Sequence, residues 1–279
     1  MEQGESKMSK RIETAEEAKQ DKAYQDALVE LLYQFADDDL IISFRGSEWL
    51  GLAPHIEEDV AFSSITQNTM GHAAMFYELL EELGEGDADY LAHERSAADR
   101  RSSVYVEKMN GEGSYIEEPD YDWALAVVRN FLYETLKRVK LEAATNSSYA
   151  PLQAVARKAL MEQTYHLAHW RLWIEQLQDS TDEAKEKINK RLQEAAEEFG
   201  DALELGAKAD DIHRFNLLID EETLKNRWLE QVNRMLKTTF DDVPQKKLGN
   251  GRIGEYNKDL EQAIGIFTEV YMSDTEAVW

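Results

Sequence analysis

Residues 55–83 read HIEEDVAFSSITQNTMGHAAMFYELLEEL, and the period of this stretch decides the fold. At 100° per residue, Ile65, Phe76, Leu79 and Leu83 fall on one arc, as the buried face of a long helix requires. The acidic turn Glu57, Glu58, Asp59 after Pro54 suits a helix start, and Gly84 with Gly86 suits its end. Thr69 and His72, three residues apart, lie on the same arc. The face that should be apolar therefore carries two polar groups.

On either side of this helix, the same period predicts helices over about 22–50, 120–145 and 151–178, with Gly51 and Pro54 breaking the first and Pro151 suiting the first turn of the last. Further helices are expected at about 181–204, 221–240 and 255–272. Residues 87–119 hold a short helix and then Asn110, Gly111 and Gly113, a turn or small hairpin. Four prolines in 279 residues agree with an all-α chain. Residues 1–20 are expected as a disordered lead, and 21–279 as a single helical domain. Two helix pairs joined by a long crossover, with additional C-terminal helices, match a ferritin-like four-helix bundle.

Each of the four stripes is interrupted by polarity. Asp39 shares a stripe with Leu28, Leu32, Phe35 and Ile42; Glu134 lies among Trp123, Val127 and Leu141; Gln163 and His166 fall in line with Leu152, Ala159, Trp170 and Leu177. Buried polar groups left unpaired cost roughly 1–3 kcal/mol each, so groups at comparable depth on four helices should meet. The carboxylate di-metal bundle supplies the template: two helices each give one Glu, and two each give Glu-x-x-His. Here the set is Asp39, Thr69-x-x-His72, Glu134 and Gln163-x-x-His166. Both histidines remain, and both Glu-x-x-His carboxylates are replaced by uncharged groups. The expectation is a degenerate site without metal or other cofactor, in which His72 pairs with Asp39 and His166 with Glu134. The rival is one divalent ion held by Asp39, His72, Glu134 and His166.

The chain has no cysteine, which excludes disulfides, thiolate ligands and a cysteine nucleophile. Its 31 Lys and Arg against 56 Asp and Glu give a formal net charge of -25, a surface that repels nucleic acid and anionic membranes. No apolar run reaches the ~20 residues of a membrane span, and the opening MEQGESKMSKRIETAEEAKQDK has no apolar core of a signal peptide. A cytoplasmic protein is expected.

Three stretches carry a resemblance: ADDDLIISFRGSEWLGLAPHIEEDVAFSSITQNTMGHAAMFYELLEELGEG, KALMEQTYHLAHWRLWIEQL and the closing Trp279. Over roughly residues 24–279 the chain resembles the structural C-subunit family of bacterial phenylacetyl-CoA epoxidases, ring-1,2-epoxidases of aerobic phenylacetate breakdown. Its clearest motif is Gly46-Ser47-Glu48-Trp49 followed by Ala53-Pro54. The resemblance implies a ferritin-like subunit that has lost its metal site. It also implies pairing with a homologous catalytic oxygenase A subunit, which carries the di-iron centre and the acyl-CoA, and with the other epoxidase subunits. A homodimer in isolation is the further alternative.

The remaining features have plainer readings. Gly249-x-Gly251-x-x-Gly254 matches a dinucleotide fingerprint as a string but lacks the strand–helix context, so it reads as a flexible connection. Trp123, Trp170 and Trp173 read as core or interface anchors. His169 is assigned to packing or partner contact, and His55, His93 and His213 to the surface.

Overall fold

The computed structural model describes residues 11–113, 118–275 and 277. Its helices are α1 (Ala15–Ala18), α2 (Lys22–Ser47), α3 (Ile56–Leu83), α4 (Ala88–His93), α5 (Val104–Glu107), α6 (Trp123–Ala144), α7 (Ala150–Asp179) and α8 (Asp182–Glu198). They continue with α9 (Ala209–Arg214), α10 (Glu221–Asn233), α11 (Lys258–Phe267) and α12 (Glu269–Ser273). The chain is predominantly α-helical, and the arrangement fits a ferritin-like bundle.

Side-chain caps fix where the long helices begin. Asp21 accepts from the amides of Ala23 and Tyr24 at the start of α2, Asp122 from Leu125 for α6, and Thr181 from Ala184 for α8. His55, expected merely at the surface, caps α3 by accepting from the Glu58 amide, and its ring stacks on Trp173. Gly84 ends α3 at φ 91°, a left-handed conformation that suits glycine.

Helices α2 and α3 form one hairpin and α6 and α7 the other, and α3 packs on α7. The crossover contains α4, α5 and a two-residue hairpin, with β1 (Gly111–Glu112) antiparallel to β2 (Asp120–Tyr121) and Gly111 opposite Tyr121. The crossover and the C-terminal elements wrap mainly the α2 and α6 side, with α4 also on α3 and α8 also on α7. Accordingly 18 of the 26 residues of α2 and 19 of the 22 of α6 are buried, against 11 of 28 in α3 and 9 of 30 in α7.

The expected lead needs correcting. Residues 1–10 lie outside the described residues, as does Trp279, but residues 11–20 are ordered. The Ile12 amide donates to the Ser148 carbonyl at 2.8 Å, the Ala150 amide donates back to Ile12 at 2.9 Å, and Thr14 caps α1. Satisfied backbone groups, which sequence polarity does not reveal, hold this segment against the α6–α7 connection.

The glycine string is also corrected from a flexible connection to a packed one. A Cβ at Gly251 would stand 1.8 Å from the Ser102 carbonyl oxygen, so the backbone approaches as only glycine permits. That approach delivers Arg252, itself buried, into the interior.

Candidate functional site: a buried polar centre

Three consecutive acids of α2 organise the interior. Successive helical residues point about 100° apart, so Asp37, Asp38 and Asp39, all buried, address different neighbours. Asp37 accepts from the Tyr77 hydroxyl of α3 at 2.6 Å, from Arg95 and from the Arg101 amide at 2.8 Å. Asp38 takes a two-pronged ion pair from Arg252, at 2.9 and 2.7 Å, plus the Ser103 amide at 2.8 Å. Asp39 turns to α6, where Tyr133 donates at 2.6 Å and Lys137 forms an ion pair at 2.8 Å. Only Asp39 stands out from the sequence. The run of three acids inside the apolar segment from Leu28 to Phe44 is the available signal for the other two.

All six residues expected at the centre are buried: Asp39, Thr69, His72, Glu134, Gln163 and His166. Their partners differ from the expected pairs. His72 does not hydrogen-bond Asp39; Lys137 stands between them, its Nζ donating to His72 Nδ1 at 2.9 Å. An ammonium can only donate, so Nδ1 accepts and the ring proton is on Nε2, which donates to Glu162 at 2.9 Å. Burial and then the Lys137 charge push the His72 pKa down to about 2, keeping the ring neutral.

His166 Nδ1 lies 3.4 Å from Glu134 Oε1, within ion-pair range but without a formed hydrogen bond. Its Nε2 is 3.4 Å from the Asn68 amide nitrogen, and the two imidazole rings are 6.0 Å apart. Burial raises the Glu134 pKa, but His166 and Lys137 together outweigh it and hold the carboxyl below its ordinary value. Burial dominates at Asp39 and pushes it up to about 6 despite Lys137 and Tyr133. Gln163 donates to the Glu134 carbonyl at 2.7 Å.

Lys137 is the residue that the sequence reading missed. It lies three residues after Glu134, hence on the same helical face, but a lysine is ordinarily read as solvent-facing. A carboxylate-bridged pair of cations does not fit this donor set. Two of the carboxylates such a pair needs are a hydroxyl and an amide, and a positive charge already touches both Asp39 and His72. Among the described residues, no group of three His, Asp or Glu side chains is arranged to hold a metal ion.

The aromatic anchors lie beyond the centre, toward the start of α6. Trp170 is fully buried, 4.8 Å from Phe62 and 6.1 Å from Trp123, while Trp123 is 5.1 Å from Trp173 between ring centroids. Glu58 accepts from Trp173 Nε1 at 2.7 Å and lies 3.0 Å from His169 Nε2, so His169 ties α7 to α3. His93, expected at the surface, is half-buried, with its ring stacked on Tyr271 at 4.7 Å. His213 is exposed.

Two further buried ionisable groups give predictions. Glu107 accepts from Ser102 at 2.8 Å, its other oxygen has no partner, and burial pushes its pKa up to about 9. A raised acid contributes stability that is full below its unfolded pKa and is lost as pH rises through the folded one. Glu107→Gln removes that dependence, so its stability relative to the parent should climb from about pH 4.5 to 9. Urea unfolding at pH 5, 7 and 9 checks this, and a difference independent of pH would contradict it.

Lys140 has no hydrogen-bond partner, its Nζ is 4.7 Å from the Phe35 ring centroid, and burial pushes its pKa down to about 7. Stability from a lowered lysine is full above about pH 10.5 and is lost as pH falls from there through about 7. Lys140→Met is expected to unfold at a higher temperature than the parent at pH 7, with the gain shrinking toward pH 10. Thermal melts across that range measure it.

No helix of the described residues is long and apolar enough to cross a membrane. The family model for phenylacetic acid catabolic proteins matches residues 1–279. The chain is also 29% identical over 220 residues to the C subunit of the 1,2-phenylacetyl-CoA epoxidase of Escherichia coli (strain K12), covering 77% of this chain and 83% of that relative. With a family model matched along its whole length, the chain belongs to the phenylacetic acid catabolic protein family.

Proposed function

We propose that this chain is a non-catalytic structural subunit of a multicomponent phenylacetyl-CoA ring-1,2-epoxidase in aerobic phenylacetate breakdown, acting in the cytoplasm. Its role is to bind and stabilise a homologous di-iron oxygenase subunit, alongside the other epoxidase subunits. Likeness to the C subunit of the Escherichia coli enzyme supports the pathway and the class of partner. The observation that carries the non-catalytic reading is the Lys137 ammonium within hydrogen-bonding reach of Asp39 and His72, where a metal-binding bundle would place a cation. Thr69 and Gln163, in place of two carboxylates, point the same way.

The chain's own residues then serve as a rigid support. Lys137 neutralises the buried acids, Gln163 ties α7 to the α6 backbone, and His72 stays neutral between α6 and α7. Oxygen chemistry and the acyl-CoA belong to the partner.

Epoxidation by the reconstituted complex, assayed with and without this chain, tests the reading. Activity and oxygenase stability should both fall when it is left out. An oxygenase subunit equally stable and active alone would overturn the proposal, as would stoichiometric iron in the purified chain that is lost in His72→Ala.

A further inference from the structure

The bundle is clothed mainly on one side, although α4 also packs on α3 and α8 on α7. Crossover and C-terminal elements cover α2 and α6, whereas α3 and α7 leave most of their residues unburied. These two less covered helices run antiparallel side by side, as the contacts of His72 with Glu162, Asn68 with His166 and Glu58 with Trp173 require.

The uncovered face is unusual for so acidic a chain. Residues 60–77 of α3 contain no Asp, Glu, Lys or Arg, although the protein carries a net charge of -25. Apart from Met70, which is also exposed, their exposed positions Val60, Ser64, Gln67, Gly71 and Ala74 repeat at the alternating four- and three-residue spacing of a helix-packing seam. All but Val60 and Gln67 are small, and a Cβ at Gly71 would meet nothing within 4 Å. On α7, Met161, Tyr165, Ala168 and Leu172 repeat the same spacing, with Met161, Tyr165 and Leu172 at least half exposed. From Ile56 to Glu78 the face is about 33 Å long and about 20 Å wide across two helices. That is on the scale of the ~800 Å² per partner of a standard interface.

Glu162 selects the occupant. Its carboxylate, on a side chain 44% exposed, lies within this face and accepts from buried His72. A second copy docked about a two-fold axis centred here would bring Glu162 toward Glu162 and set one chain of charge -25 against another. A different chain, with small and apolar side chains on two helices and a basic donor opposite Glu162, meets neither cost.

We infer that the α3–α7 face is the docking surface for the homologous oxygenase subunit, through a helix pair carrying an Arg or Lys that completes Glu162. This rests on the subunit reading above and adds the face to it. The test uses the full chain and the homologous oxygenase subunit in sedimentation and titration binding measurements, with Gly71→Arg and Ala168→Arg on the face and Glu186→Arg on exposed α8 as control. All three variants must melt like the parent when alone, so that a lost complex reports the surface.

Binding at least 100-fold weaker for both face variants, with the control unchanged, is the expected result. Parent and face variants binding equally well would overturn the inference while leaving the subunit reading intact. A parent that pairs with no homologous subunit would remove both. A parent homodimer abolished by Gly71→Arg would assign the face to a second copy and overturn the heterologous docking.

Discussion

Lys137→Met should destabilise the fold by about 3–5 kcal/mol at pH 8, the usual cost of removing one member of a buried ion pair. The methionine fills much of the lysine's volume, so the loss is electrostatic rather than steric. Asp39 keeps only the Tyr133 hydroxyl as partner, and Glu134 loses a nearby positive charge. The sign of the pH dependence is fixed. Asp39 already titrates near 6, and without the ammonium its pKa moves higher, so protonation at pH 5 relieves part of the penalty. Urea unfolding of the variant at pH 5 and pH 8 should therefore show the larger deficit at pH 8. Lys137→Met with Asp39→Leu should recover much of the loss, because an apolar pair leaves no uncompensated carboxylate. A single variant as stable as the parent at pH 8 would show that Lys137 does not hold the centre together.

Arg252→Leu is expected to cost a similar amount, about 3–5 kcal/mol, for a related reason. Its guanidinium binds both oxygens of Asp38 and also donates to the carbonyls of Arg101 at 2.6 Å and Ala202 at 3.1 Å. The leucine strands all of these acceptors together. Arg252→Lys keeps the charge but loses the planar fork, so it should fall between leucine and the parent. Chemical denaturation ranks the three, and equal midpoints for lysine and leucine variants would show that charge contributes nothing there.

Much of the bundle was legible because its determinants are local. Pro151 sits in the first turn of α7, Gly84 terminates α3, and the 3.6-residue period of α3 reads directly from Ile65, Phe76, Leu79 and Leu83. The same period brought six polar residues to the interior, and all six are buried. What escaped depends on long-range contacts. Lys137 was hidden because a lysine on a helix is ordinarily solvated, and only Asp39 and His72, distant in sequence, make its burial tolerable. Asp37 and Asp38 were hidden for a similar reason: their cations Arg95 and Arg252 come from segments with no strong periodicity. Residues 11–20 look polar enough for disorder, yet the Ile12 backbone finds its partners around Ser148 and Ala150. The glycine string at 249–254 reveals its role only when Gly251 is found against Ser102.

The three acids radiating from α2 also constrain how the polypeptide can be assembled and shortened. Asp37, Asp38 and Asp39 draw their cations from the crossover, from a segment near the carboxyl terminus and from α6. Until Arg252 has been synthesised, the middle acid lacks its two-pronged partner, so a nascent chain stopped short of it carries a poorly compensated carboxylate in its core however complete its four long helices are. A nonsense codon or protease cut ahead of that arginine would thus forfeit far more than a surface appendage, because the interior is closed by a residue far in sequence from the helix it serves.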